Sequence, residues 1–254
     1  MRLIRFKTKG QGEVKAGMVE DGKVYELIGD IFGPYDRTSR VLGLDQVEIL
    51  APCLPGKVVA TGLNYRDHAR ELNMKLPDEP LIFLKPSTSV IGPGQPIICP
   101  QVSRRVDYEA ELALVIGKKA KDVGRDEAAG YILGYTCLND VTARDIQNQE
   151  GQWTRAKCFD TFCPLGPAIE TDLDPSDLAV EAFLNGVRKQ GSRTSNLIFD
   201  VPTLIEFISG IMTLEPGDVI ATGTPPGVGP ISPGDLIEIR VQGAGSLINP
   251  VVCG

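Results

Sequence analysis

In the stretch Val106-Asp107-Tyr108-Glu109-Ala110-Glu111-Leu112-Ala113-Leu114-Val115-Ile116-Gly117, a period of two places Asp107, Glu109 and Glu111 on one face and Tyr108, Ala110, Leu112, Leu114 and Ile116 on the other. That is the pattern of a β-strand with a core face and a ladder of carboxylates. A helix advances ~100° per residue and would set Glu109 and Glu111 about 200° apart, so only a strand brings the acids together. Carboxylates two residues apart on a strand stand roughly 7 Å from each other and repel by about 2–3 kcal/mol at an effective dielectric of ~20. Water screens that repulsion if the face is exposed. Ala113 and Val115 continue the acidic face, however, and point to an inward orientation. An inward acidic pair is best neutralised by a hard divalent cation with oxygen ligands, Mg²⁺, Mn²⁺ or Ca²⁺, and such a cation needs a third ligand.

The 254 residues are 42% hydrophobic and 23% charged, as in ordinary soluble globular proteins, and suffice for one large domain or a small one joined to a larger. A net charge of −7 gives no basic footprint for nucleic acid or an anionic membrane, so small molecules are the expected partners. Met1-Arg2-Leu3-Ile4-Arg5-Phe6-Lys7 has no apolar run of signal-peptide length, and no stretch approaches the ~20 apolar residues of a membrane span. A cytoplasmic location is therefore expected. Cys53, Cys99, Cys137, Cys158, Cys163 and Cys253 form no C-x-x-C and read as buried or incidental thiols. With one histidine in the chain, a His/Cys zinc site is disfavoured.

Residues 1–52 read as a small β-rich unit: Arg2–Phe6 alternates, Gly10-Gln11-Gly12 turns, and Lys15–Glu20 and Val24–Leu27 flank Asp21-Gly22. The segment 34–43 reads as polar and irregular. Ala51-Pro52-Cys53-Leu54-Pro55-Gly56 breaks regular structure and marks the start of a second unit, 53–254. There Lys57–Thr61 is a buried strand, and Asn64–Glu71 begins a short helix on which His68 and Glu71 share a face. That pair is either a solvated contact or a general base oriented by a carboxylate. Lys85 closes the apolar strand Leu81–Pro86 and reads as a strand end rather than a site cation. Asp140 follows the strand Tyr131–Leu138 and precedes a helix over Thr142–Gln149, so it is either an N-cap or the third oxygen donor beside Glu109 and Glu111. Lys157 is either a snorkelling surface lysine or, beside a cation and a bound anion, an oxyanion stabiliser. Asn185-Gly186 marks a hairpin, and Pro202–Ser209 a short helix. The glycine-rich Ala221-Thr222-Gly223-Thr224-Pro225-Pro226-Gly227 is either a rigid turn or a loop that binds a carboxylate, with Thr224 adding a hydroxyl. It matches no nucleotide fingerprint.

Taken together, Gly62-Leu63-Asn64-Tyr65-Arg66-Asp67-His68, Tyr108-Glu109-Ala110-Glu111-Leu112, Asn139-Asp140-Val141-Thr142-Ala143-Arg144-Asp145, Trp153-Thr154-Arg155-Ala156-Lys157 and Thr222-Gly223-Thr224-Pro225 strongly resemble the fumarylacetoacetate hydrolase family, in order from about residue 57 to the end. The resemblance implies a mixed β-sandwich roll with few helices, a homodimer, and Mg²⁺ or Mn²⁺ held by three carboxylates. By position the ligands are Glu109, Glu111 and Asp140, the lysine is Lys157, the base pair is His68 with Glu71, and Thr224 meets the substrate carboxylate. Asp107 lies outside the implied ligands and stands behind them. Cys158 departs from the small residue usual beside the lysine. The implied chemistry passes from a chelated 2-oxo acid through an enolate. It ends in acylpyruvate C–C hydrolysis or oxaloacetate decarboxylation, which the intact His68/Glu71 pair favours, or in isomerisation of hydroxymuconate-type dienoates. A non-enzymatic, metal-stabilised binding protein is the contrasting possibility.

Overall fold

The structure, a computed structural model, describes residues 1–10 and 12–254; the turn expected at Gly10-Gln11-Gly12 includes Gln11, which lies outside the described residues. The fold is mainly β with short helices. Twelve strands among the described residues form one sheet. Its main path runs Tyr35–Gly43, Lys23–Gly29, Val14–Glu20, Arg2–Thr8, Cys163–Glu170, Ile132–Asn139, Ala110–Ile116, Val219–Ala221, Lys57–Thr61 and Ile82–Pro86. A second sheet orders Val187–Arg193, Ala179–Leu184, Leu236–Val241, Gly245–Cys253 and Ile97–Cys99, and a third sets Val106–Tyr108 between Thr142–Ala143 and Gly229–Ile231. Turn chemistry explains both tight hairpins. Asp21 and Gly22 take φ of 48° and 73°, and Asn185 and Gly186 take 51° and 78°, the left-handed pair that a two-residue hairpin needs. The helix Val201–Ile211 starts at Asp200, whose side chain accepts from the Thr203 amide, with Pro202 in its first turn.

The acidic stretch is two strands, Val106–Tyr108 and Ala110–Ile116, with Glu109 at the break. Each half belongs to a different sheet. Val106–Tyr108 pairs with Gly229–Ile231, whereas Ala110–Ile116 lies between Ile132–Asn139 and Val219–Ala221. At the crossover the Glu109 amide donates to Asn139 Oδ1 at 2.9 Å, so a side chain replaces the missing ladder bond. Both faces of Ala110–Ile116 are buried. Leu112, Leu114 and Ile116 join the main hydrophobic cluster, and Ala113 and Val115 join a second one, so the acidic face does run inward.

Two expectations need correction. The segment 34–43 is not irregular: Tyr35–Gly43 is the edge strand of the large sheet, paired with Lys23–Gly29. An edge strand buries little, so its polar composition hid its period. The expected helix Thr142–Gln149 begins later, at Arg144, because Thr142 and Ala143 pair with Asp107 and Val106. Its N-cap is Ala143, so Asp140 is not a cap.

Asn64 ties the root of the helix Arg66–Glu71 to the scaffold. Fully buried, it donates to Phe199 O (3.0 Å) and Thr222 O (2.8 Å) and accepts from the Phe199 amide (2.8 Å). Asn64→Ala strands one buried and two part-buried backbone groups and is expected to cost about 2–4 kcal/mol in a urea titration. A loss below about 0.5 kcal/mol would contradict this assignment.

Candidate active site

Glu109, Glu111 and Asp140 each bring a carboxylate oxygen to one point, all within 4.8 Å of one another, and all three residues are buried. Strand register does this. Ala110 faces Asn139 across the ladder, and the Asp140 amide donates to Glu109 O at 2.9 Å, which sets the end of one strand beside the break in the other.

The three acids are not equally compensated. Glu109 accepts from Lys157 Nζ at 2.8 Å and from the Arg144 guanidinium. Asp140 accepts from Lys157 Nζ at 2.6 Å and from Lys85 Nζ. Glu111 has no cationic partner among the described residues; it accepts the Gly223 amide at 2.7 Å. Burial alone would raise the Glu109 carboxyl, but Lys157 and Arg144 outweigh it and hold the group at about 2. Burial raises Glu111 well above its ordinary 4.5, and the charges of Asp140 and Glu109 push it further; Lys157 and the Gly223 amide oppose this only in part. Burial would lower the Lys157 ammonium, but Asp140 and Glu109 more than offset that and raise it. Gly223 reaches Glu111 because it sits at φ +95°, where an added Cβ would come 2.8 Å from Asn64 Cβ.

Glu109 and Glu111 open onto a cavity of about 670 Å³ that His68, Glu71, Lys157 and Thr224 also line. His68 Nδ1 lies 2.8 Å from Glu71 Oε2. Glu71 in turn accepts the Gly227 amide at 3.1 Å, so the pair spans from the helix Arg66–Glu71 to the loop that carries Thr224. The Thr224 hydroxyl donates to Ala110 O and accepts from Gln190 Nε2, both at 2.9 Å. Its hydrogen is spent, which leaves the backbone as this loop's donor toward an anion. Phe83, Trp153, Leu72 and Met74 supply an apolar wall.

The fold thus brings together groups that the sequence named, together with two cations whose roles it did not show, Lys85 and Arg144. Lys85 is not a strand end: it is fully buried and donates to Asp140 and to Val141 O. The signal was present, since a period of two sets Lys85 on the same strand face as Phe83, which lines the cavity. Lys157 is buried, so the snorkelling reading fails. Cys158 is accommodated, with Sγ 3.3 Å from Leu84 O. Asp107 lies outside the triad and is met by Arg105 and Arg144. The neutralising role of Arg144 had no signal in spacing.

The donor set fits a hard cation: three buried oxygen ligands, one of them without a counter-charge. Fold and triad thus define a class of β-rich proteins that enclose a carboxylate centre beneath a short helix. Comparison makes the class specific. The family model for the fumarylacetoacetate (FAA) hydrolase C-terminal domain matches residues 57–252 and an Rv2993c-like N-terminal model matches residues 1–52, so the chain belongs to the fumarylacetoacetate hydrolase family. It is similar to the crystal structure of 5-carboxymethyl-2-hydroxymuconate delta-isomerase from Mycobacterium smegmatis, with 49% identity, a TM-score of 0.94 and full coverage of both chains. The mitochondrial oxaloacetate tautomerase of Xenopus laevis is 42% identical over 85% of this chain and 72% of its own length. Maleylpyruvate hydrolase from Sphingobium sp. SYK-6, solved with manganese(II) and pyruvate, is 31% identical with a TM-score of 0.83 and full coverage of both chains.

The raised Glu111 has a sign that can be tested. A carboxyl with a folded pKa above its unfolded 4.5 takes up a proton on folding, so metal-free stability falls as pH rises from 4.5 through the raised value. The depressed Glu109 acts oppositely, its contribution being lost as pH falls from 4.5 toward about 2. Glu111→Gln removes the first effect. In chelator at about pH 8 the variant should melt above wild type, with the difference shrinking toward about pH 4.5. A variant that melts lower at the higher pH contradicts the charge assignment.

Proposed function

We propose that this chain is a divalent-cation-dependent enzyme acting on enolisable 2-oxo carboxylates. The observation that carries the reading is Glu111, a buried carboxylate without a counter-charge, opening beside Lys157 onto the cavity that also holds the only histidine. Bound by Glu109, Glu111 and Asp140, Mg²⁺ or Mn²⁺ would supply Lewis acidity toward a 2-oxo acid. Lys157, fixed by Glu109 and Asp140, keeps a positive charge at the cavity wall for the oxyanion that develops as the acid enolises. Glu71 accepts from His68 Nδ1–H, so the neutral ring presents Nε2 as a base. That nitrogen moves the proton at the enolisable carbon or, given a water, activates it.

Within this class, acylpyruvate hydrolysis needs both an electron sink and an activated water, and tautomerisation or dienoate isomerisation needs the proton shuttle. Oxaloacetate decarboxylation needs chiefly the sink, because CO₂ leaves without a nucleophile. The tie from Glu71 to Gly227 holds the pair over the cavity, which supports a working base and thus the first two chemistries. The isomerase and tautomerase names of the relatives support the shuttle in particular.

Assays of a 2-oxo acid panel with Mg²⁺ and Mn²⁺ test this reading, and no turnover with either ion would overturn it. His68→Ala is expected to lower hydrolysis or tautomerisation about 10²–10⁴-fold, the scale of general acid–base catalysis, with a much smaller fall in decarboxylation. Equal losses would assign His68 to positioning instead. Lys157→Met should lower kcat by about 10²-fold or more while the cation still binds in a calorimetric titration. Near-wild-type kcat would remove Lys157 from the chemistry.

A further inference from the structure

One end of the cavity holds two guanidinium groups on a single buried carboxylate. Arg105 donates to Asp107 from Nε at 2.9 Å and from Nη2 at 3.2 Å, and Arg144 donates to the same side chain from Nε at 2.9 Å. The Arg144 amide also donates to Arg105 O at 2.8 Å, so backbone and side chains fix the two together. They are not equivalent. Every nitrogen of the Arg144 guanidinium is spent, on Asp107, Gln147 and Glu109. Arg105 Nη1 has no protein partner among the described residues, its side chain is 51% exposed, and it lines the cavity. Asp107 thus holds one edge of Arg105 in place and leaves the other free.

Charge and distance indicate what that free edge meets. Asp107, Glu109, Glu111 and Asp140 are balanced by Lys85, Arg105, Arg144 and Lys157. A divalent cation on the triad gives this group a positive excess even with Glu71 counted, which favours an anionic ligand. The single guanidinium of Arg144 meets both Asp107 and Glu109, so the carboxylate that holds Arg105 lies within a few carbon atoms of the triad. The apolar lining residues Phe83, Trp153, Leu72 and Met74 offer no partner for a second carboxylate.

We propose that Arg105 binds the distal carboxylate of a 2-oxo dicarboxylate and so selects dicarboxylates over 2-oxo monocarboxylates of the same length. The inference rests on the 2-oxo acid reading above and adds a specificity residue to it. A guanidinium edge is suited to this because it meets a carboxylate with directed, charge-assisted hydrogen bonds.

Calorimetric titration of the Mg²⁺-loaded protein with oxaloacetate and with 2-oxobutanoate, which carries a methyl group in place of the distal carboxylate, tests it. Wild type should bind oxaloacetate roughly 10–100-fold more tightly, the scale of a hydrogen-bonded charge pair, and Arg105→Gln should bring the ratio within about threefold with 2-oxobutanoate affinity unchanged. Arg105→Lys keeps the charge opposite Asp107 but loses the second edge, so its ratio should fall between the two. No preference in wild type, or an unchanged ratio in both variants, overturns the proposal. Equal loss for both acids overturns it too, because that is how a purely structural prop for Asp107 behaves. Failure of wild type to bind either acid is a different result and overturns the 2-oxo acid reading itself.

Discussion

Glu111 sits in the centre of a large sheet with hydrophobic residues on either side and no cation of its own. Two other carboxylates lie within 4.8 Å, where like charges repel by about 3–4 kcal/mol per pair at an effective dielectric of ~20. Removing a charge from water adds to that cost. The chain meets the problem unevenly. Lys157 and Arg144 hold Glu109 ionised, Lys157 and Lys85 hold Asp140, and Glu111 receives one backbone amide. Such an arrangement is poor as a device for stability, since apolar side chains would fill the same space at lower cost. It is well suited to holding a divalent cation.

The rest of the structure serves that geometry. A break at Glu109 passes the chain from one sheet to another, and strand register sets Asp140 against the break. Gly223 approaches Glu111 as only a residue without Cβ can, and Asn64 fixes that loop to the root of the helix bearing His68 and Glu71. Gly227 closes the circuit through its amide to Glu71; an added Cβ there would meet Lys189 O at 2.2 Å. The groups suited to move protons and the groups suited to bind a cation are therefore held by one hydrogen-bonded frame.

Much of this was legible in the sequence because it follows short-range rules. The alternation from Val106 to Ile116 identified the central strand Ala110–Ile116 but not the break at Glu109 that gives Val106–Tyr108 to another sheet, and Asp21-Gly22 and Asn185-Gly186 announced their hairpins. The inward direction of the acids followed from Ala113 and Val115. What was hidden depends on distant partners. The edge strand Tyr35–Gly43 has too little buried surface to show a period, and Thr142 and Ala143 were drawn from an expected helix into a pairing with residues 106 and 107. Lys85 looked like a strand end because its partner, Asp140, is 55 residues away. Resemblance named Thr224, yet only the structure shows its hydroxyl held by Ala110 and Gln190.

Proton release on cation binding tests the uncompensated Glu111 most directly. Calorimetric titrations with Mg²⁺ or Mn²⁺ in two buffers of different ionisation enthalpy give the number of protons displaced. Because Glu111 is raised well above the ordinary carboxylate range, cation binding should release protons at pH above about 4.5, and the release should disappear in Glu111→Gln together with most of the affinity. Cation binding that releases no proton in wild type, or that persists unchanged in Glu111→Gln, would contradict the account.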